Sequence, residues 1–455
     1  MATRSRPGPV RAAALLLAAA LAACSEEPGP RRPSVLLVTV DTLRADHLDA
    51  WGDTRVDTPA LDALAREALV FERAWTPVPI TTPSLASLLS SRLPRNHGAL
   101  NNTYDLDASE VTLAEILAEE GYATGAFLPS FLGDKPGFRQ GFETYDTPTL
   151  KDPLRTGPQV VGRALEWLGR MEAKGDRPWF CWVHLMEPHS PYSPGPELER
   201  KYLPPGVLRV PEGLREEVFG EPVERSPEEV EVLRALYRGE VEATDRALAP
   251  LLDWAGERGE VLTVFTADHG EVLYEHERYV GHTAWLFEEQ LRVPLLFHFT
   301  SGRSAGERTD LPASLLDVAP SVLGVLGISF ESPGGGLDLL AAEPGVERVL
   351  VHETFAPEGH YDQQALREGS RKLHLPSERP GSRPRLFDLA RDPGETRDLA
   401  GEEPAERLRL EELFHGWAAR QRDPDQARRP DVDEAMREKL EDLGYLQATR
   451  GGARH

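Results

Sequence analysis

Val35-Leu36-Leu37-Val38-Thr39-Val40-Asp41-Thr42 places a carboxylate and a hydroxyl directly after six residues that favour a buried strand. Such a run shows no polar alternation, so both of its faces must be covered, as in a parallel sheet. A carboxylate at its end then projects from the C-terminal edge of the strand, where open parallel sheets carry their active sites. Similar runs recur at Tyr122–Phe127, Trp179–His184, Val261–Ala267 and Val293–Phe299. Between the runs, Thr58–Val70, Val111–Glu120, Val160–Glu172 and Pro227–Arg258 carry apolar residues at three-to-four spacing and predict helices. The alternation predicts an α/β fold, a mostly parallel sheet with helices on both faces.

Local signals agree. Asp57-Thr58-Pro59 and Ser226-Pro227-Glu228-Glu229 read as helix starts, and Gly121 stands in a helix-stop position. Pro188–Pro211 and Ser301–Pro312 read as surface loops. After Ser332-Pro333-Gly334-Gly335-Gly336 the pattern changes to short strands, Val349–His352, Arg371–His374 and Leu386–Leu389, followed by a helix near Glu402–Arg420. The expected organisation is a main α/β unit over 34–330, a small C-terminal α+β subdomain over 331–420, and a charged surface tail over 421–455.

The chain begins with Arg4, Arg6 and Arg11 ahead of an apolar run, Ala12–Ala23, too short to cross a bilayer. Leu21-Ala22-Ala23-Cys24 resembles a bacterial lipoprotein cleavage box, which makes 1–23 a signal peptide, Cys24 the lipidated first residue and 24–33 a tether. The alternative is a plain secretory signal with an incidental cysteine. Ser25 after that cysteine resembles outer-membrane sorting in a diderm bacterium, so the expected location is the cell envelope, lipid-anchored at the periplasmic side of the outer membrane. Cys181, the second of two cysteines, sits in an apolar run and reads as a buried thiol. With 455 residues, 40% hydrophobic and 28% charged, the chain is globular, and its net charge of -24 argues against a nucleic-acid partner.

Three segments carry the chemistry. Asp41 follows one strand, Asp268 and His269 follow another in Thr266-Ala267-Asp268-His269-Gly270-Glu271, and Thr81 stands in Thr81-Thr82-Pro83-Ser84, a loop entering a helix from Ser84. Two carboxylates, an imidazole and a hydroxyl at one sheet edge would hold a divalent cation against an alcohol nucleophile. The donor set suits Ca²⁺, Mg²⁺ or Mn²⁺, and adding His189 and His282 would build a second, Zn²⁺-like site. His276 and His298 read as surface or packing histidines, and Glu271 as a support for a metal ligand.

These residues fall in blocks. Asp41-Thr42-Leu43-Arg44-Ala45-Asp46-His47-Leu48, then Pro83-Ser84 with Leu93-Pro94 and His97-Gly98, then Asp268-His269-Gly270-Glu271, Gly281-His282, Arg292-Val293-Pro294-Leu295 and Leu386-Phe387-Asp388-Leu389 with Asp392-Pro393 and Glu395, resemble the sulfatase family of the alkaline phosphatase superfamily. The resemblance spans Ser34 to Leu446. It implies an alkaline-phosphatase-like fold, metal ligation by Asp41, Asp268 and His269, and a nucleophile at Thr81. Asn102 would donate to a substrate oxygen, His189 and His282 would hold the transferred group or leaving oxygen, and His184 would add a substrate contact.

Two departures stand out. Sulfatases carry a Cys or Ser, converted to formylglycine, in a Cys/Ser-x-Pro-x-Arg segment, where this chain reads Thr81-Thr82-Pro83-Ser84-Leu85. The Thr-x-Pro pattern resembles superfamily phosphodiesterases. Thr42 replaces a second aspartate, and the lysine that usually follows the strand ending at Phe127 has no evident counterpart. The implied activity is hydrolysis of a sulfate or phosphate mono- or diester, on a small molecule, glycan or lipid, through a covalent threonine intermediate. Rival expectations are a phosphoglycerol or phosphoethanolamine transferase and a non-catalytic lipoprotein.

Overall fold

Val35, Leu36, Leu37, Val38 and Val40 are each buried with no exposure, so the first strand has no face toward water. The structure is a computed structural model that describes residues 32–52, 55–130, 135–211, 213–215, 223–276, 279–282, 285–343, 345–355, 362–376, 381–427 and 434–442. The expected signal peptide, Cys24 and nearly all of the tether lie outside the described residues, as does the end of the tail.

The main sheet is built from β1 (Ser34–Val40), β2 (Ala68–Phe71), β3 (Ala123–Phe127), β4 (Thr144–Asp146), β5 (Trp179–Leu185), β6 (Val261–Ala267), β7 (Leu295–Phe299) and β8 (Arg308–Thr309). Its order is β8-β2-β7-β6-β1-β5-β3-β4. Only β7 runs against its neighbours, and every other pairing is parallel. β1 lies at the centre, with Val40 opposite Leu185 of β5 and Ala267 of β6. The three strands therefore end level, and the residues after them share one edge.

The helices are α1 (Pro59–Arg66), α2 (Thr81–Ser90), α3 (Leu113–Glu119), α4 (Gly157–Lys174), α5 (Pro196–Tyr202), α6 (Pro227–Gly256) and α7 (Val318–Val325). α6 packs on α1, α4 and α5, while α2 packs on α3 and α7. Ser226 and Glu229 close a capping box at the expected start of α6. The first amides of α1 are held from outside by Asp245 of α6, which accepts from Leu61 N at 2.8 Å and Ala60 N at 3.2 Å.

The helix expected over Thr58–Val70 is a correction. It stops at Arg66, and Ala68–Phe71 becomes β2, because these four buried residues complete their backbone bonding against β7. The expected loop Ser301–Pro312 likewise contributes the edge strand β8.

A second sheet, antiparallel in the order β9 (Val349–Thr354), β10 (Gln363–Glu368), β11 (Arg371–His374), β12 (Arg385–Asp388), follows in the chain. α8 (Pro404–Ala418) covers it by setting Leu410 and Phe414 against Val351, Leu366, Leu373 and Leu386. The tail does not lie entirely free on the surface as expected. It contains α9 (Glu434–Asp442), whose Leu440 is 0% exposed against Met186, because burying that apolar side chain outweighs the charge around it. Among the described residues no helix is long and apolar enough to cross a membrane.

Candidate active site

Thr81 is the first residue of α2, not a loop residue ahead of it. Ser84 N bonds Ile80 O at 3.0 Å, and Pro83 is tolerated because the first helical turn needs no amide from it. The helix is clipped to the sheet edge by Ser84, whose Oγ donates to Asp268 O at 2.6 Å. Thr81 is 2% exposed, and its Oγ1 lies 3.5 Å from Asp41 Oδ2.

The level strand ends bring Asp41 and Asp268 together with His269, whose Nε2 is 3.7 Å from Asp41 Oδ1 and 3.6 Å from Asp268 Oδ2. All three residues are fully buried. The other nitrogen, Nδ1, sits 3.0 Å from Gly270 O, an atom that can only accept, so Nδ1 carries the proton and Nε2 presents a lone pair. Asp268 Oδ1 accepts from His269 N at 2.7 Å and from Thr42 N at 3.2 Å. Thr42 reaches this position with φ of 54°, a strained conformation for a β-branched residue, and Tyr237 OH holds its carbonyl at 2.6 Å.

Burial pushes Asp268 up to about 8 and holds His269 well below the usual imidazole range, with His282 adding to the latter. Asp268 Oδ2 and His269 Nε2 have no hydrogen-bond partner among the described residues. Two buried carboxylates beside a neutral imidazole with an inward lone pair fit a divalent cation, which would reverse the penalty of burying the charges.

His184 was expected to contact substrate, and the structure puts it nearer the carboxylates than that reading requires. Ligand atoms of Asp41, His184 and Asp268 all lie within 4.8 Å of one another. Its Nδ1 is 2.9 Å from Thr39 Oγ1, which also accepts from Trp182 Nε1 at 3.0 Å. His189 and His282 complete a row of imidazoles. His282 lies 4.5 Å from His269 and 5.1 Å from His189, ring centre to ring centre. Burial and the neighbouring His282 bring His189 down to about 3. Glu271, fully buried, receives the hydroxyl of Tyr192 and places Oε1 3.6 Å from His282 Nδ1, a supporting position. His276 stacks on Phe287 at 3.7 Å, as a packing histidine does.

Asn102 Oδ1 accepts from Thr82 N at 2.8 Å, and its Nδ2, buried, has no partner among the described residues. A lysine not singled out in the sequence does stand here: Lys135 is 6% exposed, and its Nζ donates to Asn102 O at 2.7 Å, Tyr104 O at 2.5 Å and Thr82 Oγ1 at 3.3 Å. It lies eight positions beyond Phe127 instead of directly after the strand. The available signal was Pro136, whose place at the start of a short helix fixes Lys135 as its cap. Beside Thr81 opens a small recess with room for about one water, bounded by Thr81, Thr82, Leu85, Ser130, Trp182 and His184 among others.

Comparison with known proteins agrees with this geometry. Residues 33–328 match the model of the sulfatase family. An ulvan-active sulfatase of Formosa agariphila is 27% identical, over 88% of this chain and 85% of its own. Among solved structures, a phosphonate monoester hydrolase of Agrobacterium radiobacter superposes with a TM-score of 0.67 at 23% identity, covering 85% of this chain and 96% of its own. A protein crystallised with its substrate D-glucosamine-2-N,6-O-disulfate gives 0.72 at 17% identity, covering 88% of this chain and 100% of its own. The two solved structures share the alkaline-phosphatase-like α/β fold of this chain.

Proposed function

The chain belongs to the sulfatase family and is a sulfatase-like ester hydrolase, and from that premise we propose that it cleaves sulfate or phosphate esters by a two-step displacement at Thr81. The observation that carries this reading is the approach of Thr81 Oγ1 to Asp41 at 3.5 Å, at a sheet edge shared with Asp268 and His269. Asp41, Asp268 and His269 would hold a divalent cation, Ca²⁺, Mg²⁺, Mn²⁺ or Zn²⁺, with His184 in reach of the same place. Such a cation supplies charge balance for ester oxygens and acidifies a neighbouring alcohol.

The chain's own groups do the rest. Thr81 donates its hydroxyl proton toward Asp41 Oδ2 as Oγ1 attacks the central atom of the ester. The bond to the leaving oxygen breaks, and that oxygen takes a proton from His282, against which the neutral ring of His189 packs edge-on. Asn102 Nδ2 is the donor placed for a non-bridging oxygen. In the second step His282, now neutral, removes a proton from water, which attacks the central atom; the bond to Thr81 Oγ1 breaks, and that oxygen takes back its proton from Asp41.

Lys135 has committed all three of its protons to protein oxygens. It therefore acts as a positioning residue, holding Thr82 and the carbonyl of Asn102 while contributing positive potential. Replacing Thr81 with Ala should abolish hydrolysis of para-nitrophenyl esters of sulfate, phosphate and phosphonate while leaving the metal content, read by elemental analysis, intact. Retained turnover would remove Thr81 from the nucleophile position. The relative active on ulvan and the similar structure holding a glucosamine disulfate as substrate support a glycan ester among the substrates to be screened.

The proposal includes a lipid anchor on Cys24 at the periplasmic side of an outer membrane, supported by the leader sequence. Expressed with its leader in a diderm host, the Cys24→Ala protein should move from the membrane pellet to the soluble fraction. A pelleting variant would leave the anchor elsewhere.

A further inference from the structure

The chain enters the main sheet at the edge opposite to Thr81. Pro33 immediately precedes β1, and its carbonyl accepts from Tyr122 OH at 3.1 Å. Arg32 pairs with Glu120, just past the end of α3. Ser34 N donates to Glu260 O at 2.9 Å, and Ser34 Oγ accepts from Trp179 N at 3.1 Å, groups that stand where β6 and β5 begin. The entry point is thereby fixed to the N-terminal ends of the central strands.

Asp41 follows the other end of the same strand, with Thr81 Oγ1 3.5 Å from it. The seven residues of β1 span about 23 Å, which separates the chain entry from the nucleophile. The second sheet adds height on the catalytic side, because His352 and Glu353 bond Thr76 and Pro77, which lie past the end of β2.

Eight residues, Ser25 to Arg32, separate Cys24 from Pro33. Fully stretched, they reach about 30 Å. That is ample to seat the N-terminal edge on a bilayer holding a lipid on Cys24. To press the catalytic edge against the same bilayer, the tether would have to round a covering helix and climb the height of the sheet, a path of roughly 35 Å before the second sheet is cleared.

We propose, resting on lipid attachment at Cys24 and on ester cleavage at Thr81, that the anchored protein stands with the N-terminal edge of its main sheet on the bilayer and its catalytic edge turned away, so that its substrates are water-soluble esters and not head groups of the membrane that carries it. The tether works as a spacer too short to give the site access to its own bilayer. This orientation weighs against the rival expectation of phosphoglycerol or phosphoethanolamine transfer between lipids.

The test uses the full lipidated chain in vesicles. Asp176, exposed ahead of β5, and Lys151, exposed beyond β4, lie at opposite edges of the sheet. Asp176→Cys and Lys151→Cys each take a thiol-reactive fluorophore, since Cys181 is buried and Cys24 carries its lipid on sulfur. Energy transfer to acceptor-labelled head groups should be stronger from position 176 than from position 151. Equal transfer, or the reverse, overturns the orientation. Transfer from neither position overturns it by removing the anchor on which it rests.

Turnover gives a second measurement. A para-nitrophenyl ester that the protein cleaves is offered free in solution and, with an alkyl chain on its ring, embedded in the vesicles. The anchored protein should match the soluble Cys24→Ala protein on the free ester, yet fall about tenfold or more below it on the embedded one, because only the soluble form can approach with its catalytic edge. Inserting about twenty Gly and Ser residues after Pro30 should remove that deficit, since such a linker spans the path. Faster cleavage of the embedded ester by the anchored form, or a deficit that the longer tether leaves in place, overturns the proposal. No turnover of either ester by either form counts against the displacement at Thr81 instead, and the energy-transfer comparison still decides the orientation.

Discussion

Lys135 shows what a single buried cation does in this site. Burial pulls its ammonium down to about 7, Asp105 pulls in the opposite direction, and the three oxygens around Nζ favour the charged form. Its charge should therefore fade as the pH climbs through that region. Lys135→Met is expected to lower kcat by roughly ten- to a hundredfold and to flatten the alkaline limb of the pH–rate profile. An unchanged limb would assign it to another group. The same shift has a sign for stability. The unfolded chain keeps a lysine proton up to roughly pH 10, beyond the folded chain, so wild-type stability should rise from about pH 7 upward. Denaturant midpoints measured across that range should lose this slope in Lys135→Met. The lysine was missed in the sequence because two of its three partners are backbone carbonyls, which leave no residue-type signature. Asp41, Asp268 and His269 were legible because each follows an apolar run directly, so a strand-end position could be inferred from the run alone. The proximity of His184 to the carboxylates was not legible, since it depends on the register that sets Thr39 opposite His184.

Between elements, the second sheet is tied to the approach to Thr81. His352 Nδ1 donates to Thr76 O at 2.9 Å and Glu353 N to Pro77 O at 2.9 Å, both in the segment that leads into α2. Glu288 secures the same interface from the main unit, accepting from Trp75 Nε1 at 2.9 Å, Arg367 Nη1 at 2.7 Å and Lys372 Nζ at 2.9 Å. Burial pushes this carboxyl up, but Arg367 and Lys372 outweigh it and hold it well below the usual carboxylate range. The stability it contributes is thus present above the unfolded glutamate range near pH 4 and is lost as the pH falls below it. Glu288→Gln leaves two buried cations under-compensated and should cost about 3–5 kcal/mol. It should also lower kcat, because the segment before Thr81 loses its backing. Thermal denaturation at pH 7 and steady-state kinetics check both, and a variant of wild-type stability would make the network dispensable. β10, the middle partner in this sheet, was not visible in the sequence. Gln363-Gln364-Ala365-Leu366-Arg367-Glu368 has too few apolar residues to show alternation, and it forms a strand because β9 and β11 bond it on both sides.

At the scale of the whole molecule, the central strands could be read because they are long, apolar and fully buried, whereas edge and connecting pieces such as β4 and β8 take their form from neighbours. The tail follows the second rule. Its charge suggested solvent, yet α9 places Leu440 and Met436 on Met186, together with Leu150 and Leu154. Met186 is the residue just past β5, and its carbonyl receives His189 N at 2.9 Å, so the packing of α9 bears on the backbone that carries one of the site imidazoles. Leu440→Asp would bury a carboxylate against this apolar surface, and relief comes only if α9 lifts away. Met186 then gains solvent, the turn to His189 loosens, and the ring packed edge-on against His282 no longer holds that proton donor squarely at the leaving oxygen. The expected outcome is a fall in kcat of about three- to tenfold with little change in KM, accompanied by faster proteolytic removal of α9. Faster cleavage with unaltered kcat would show that α9 covers Met186 without positioning His189.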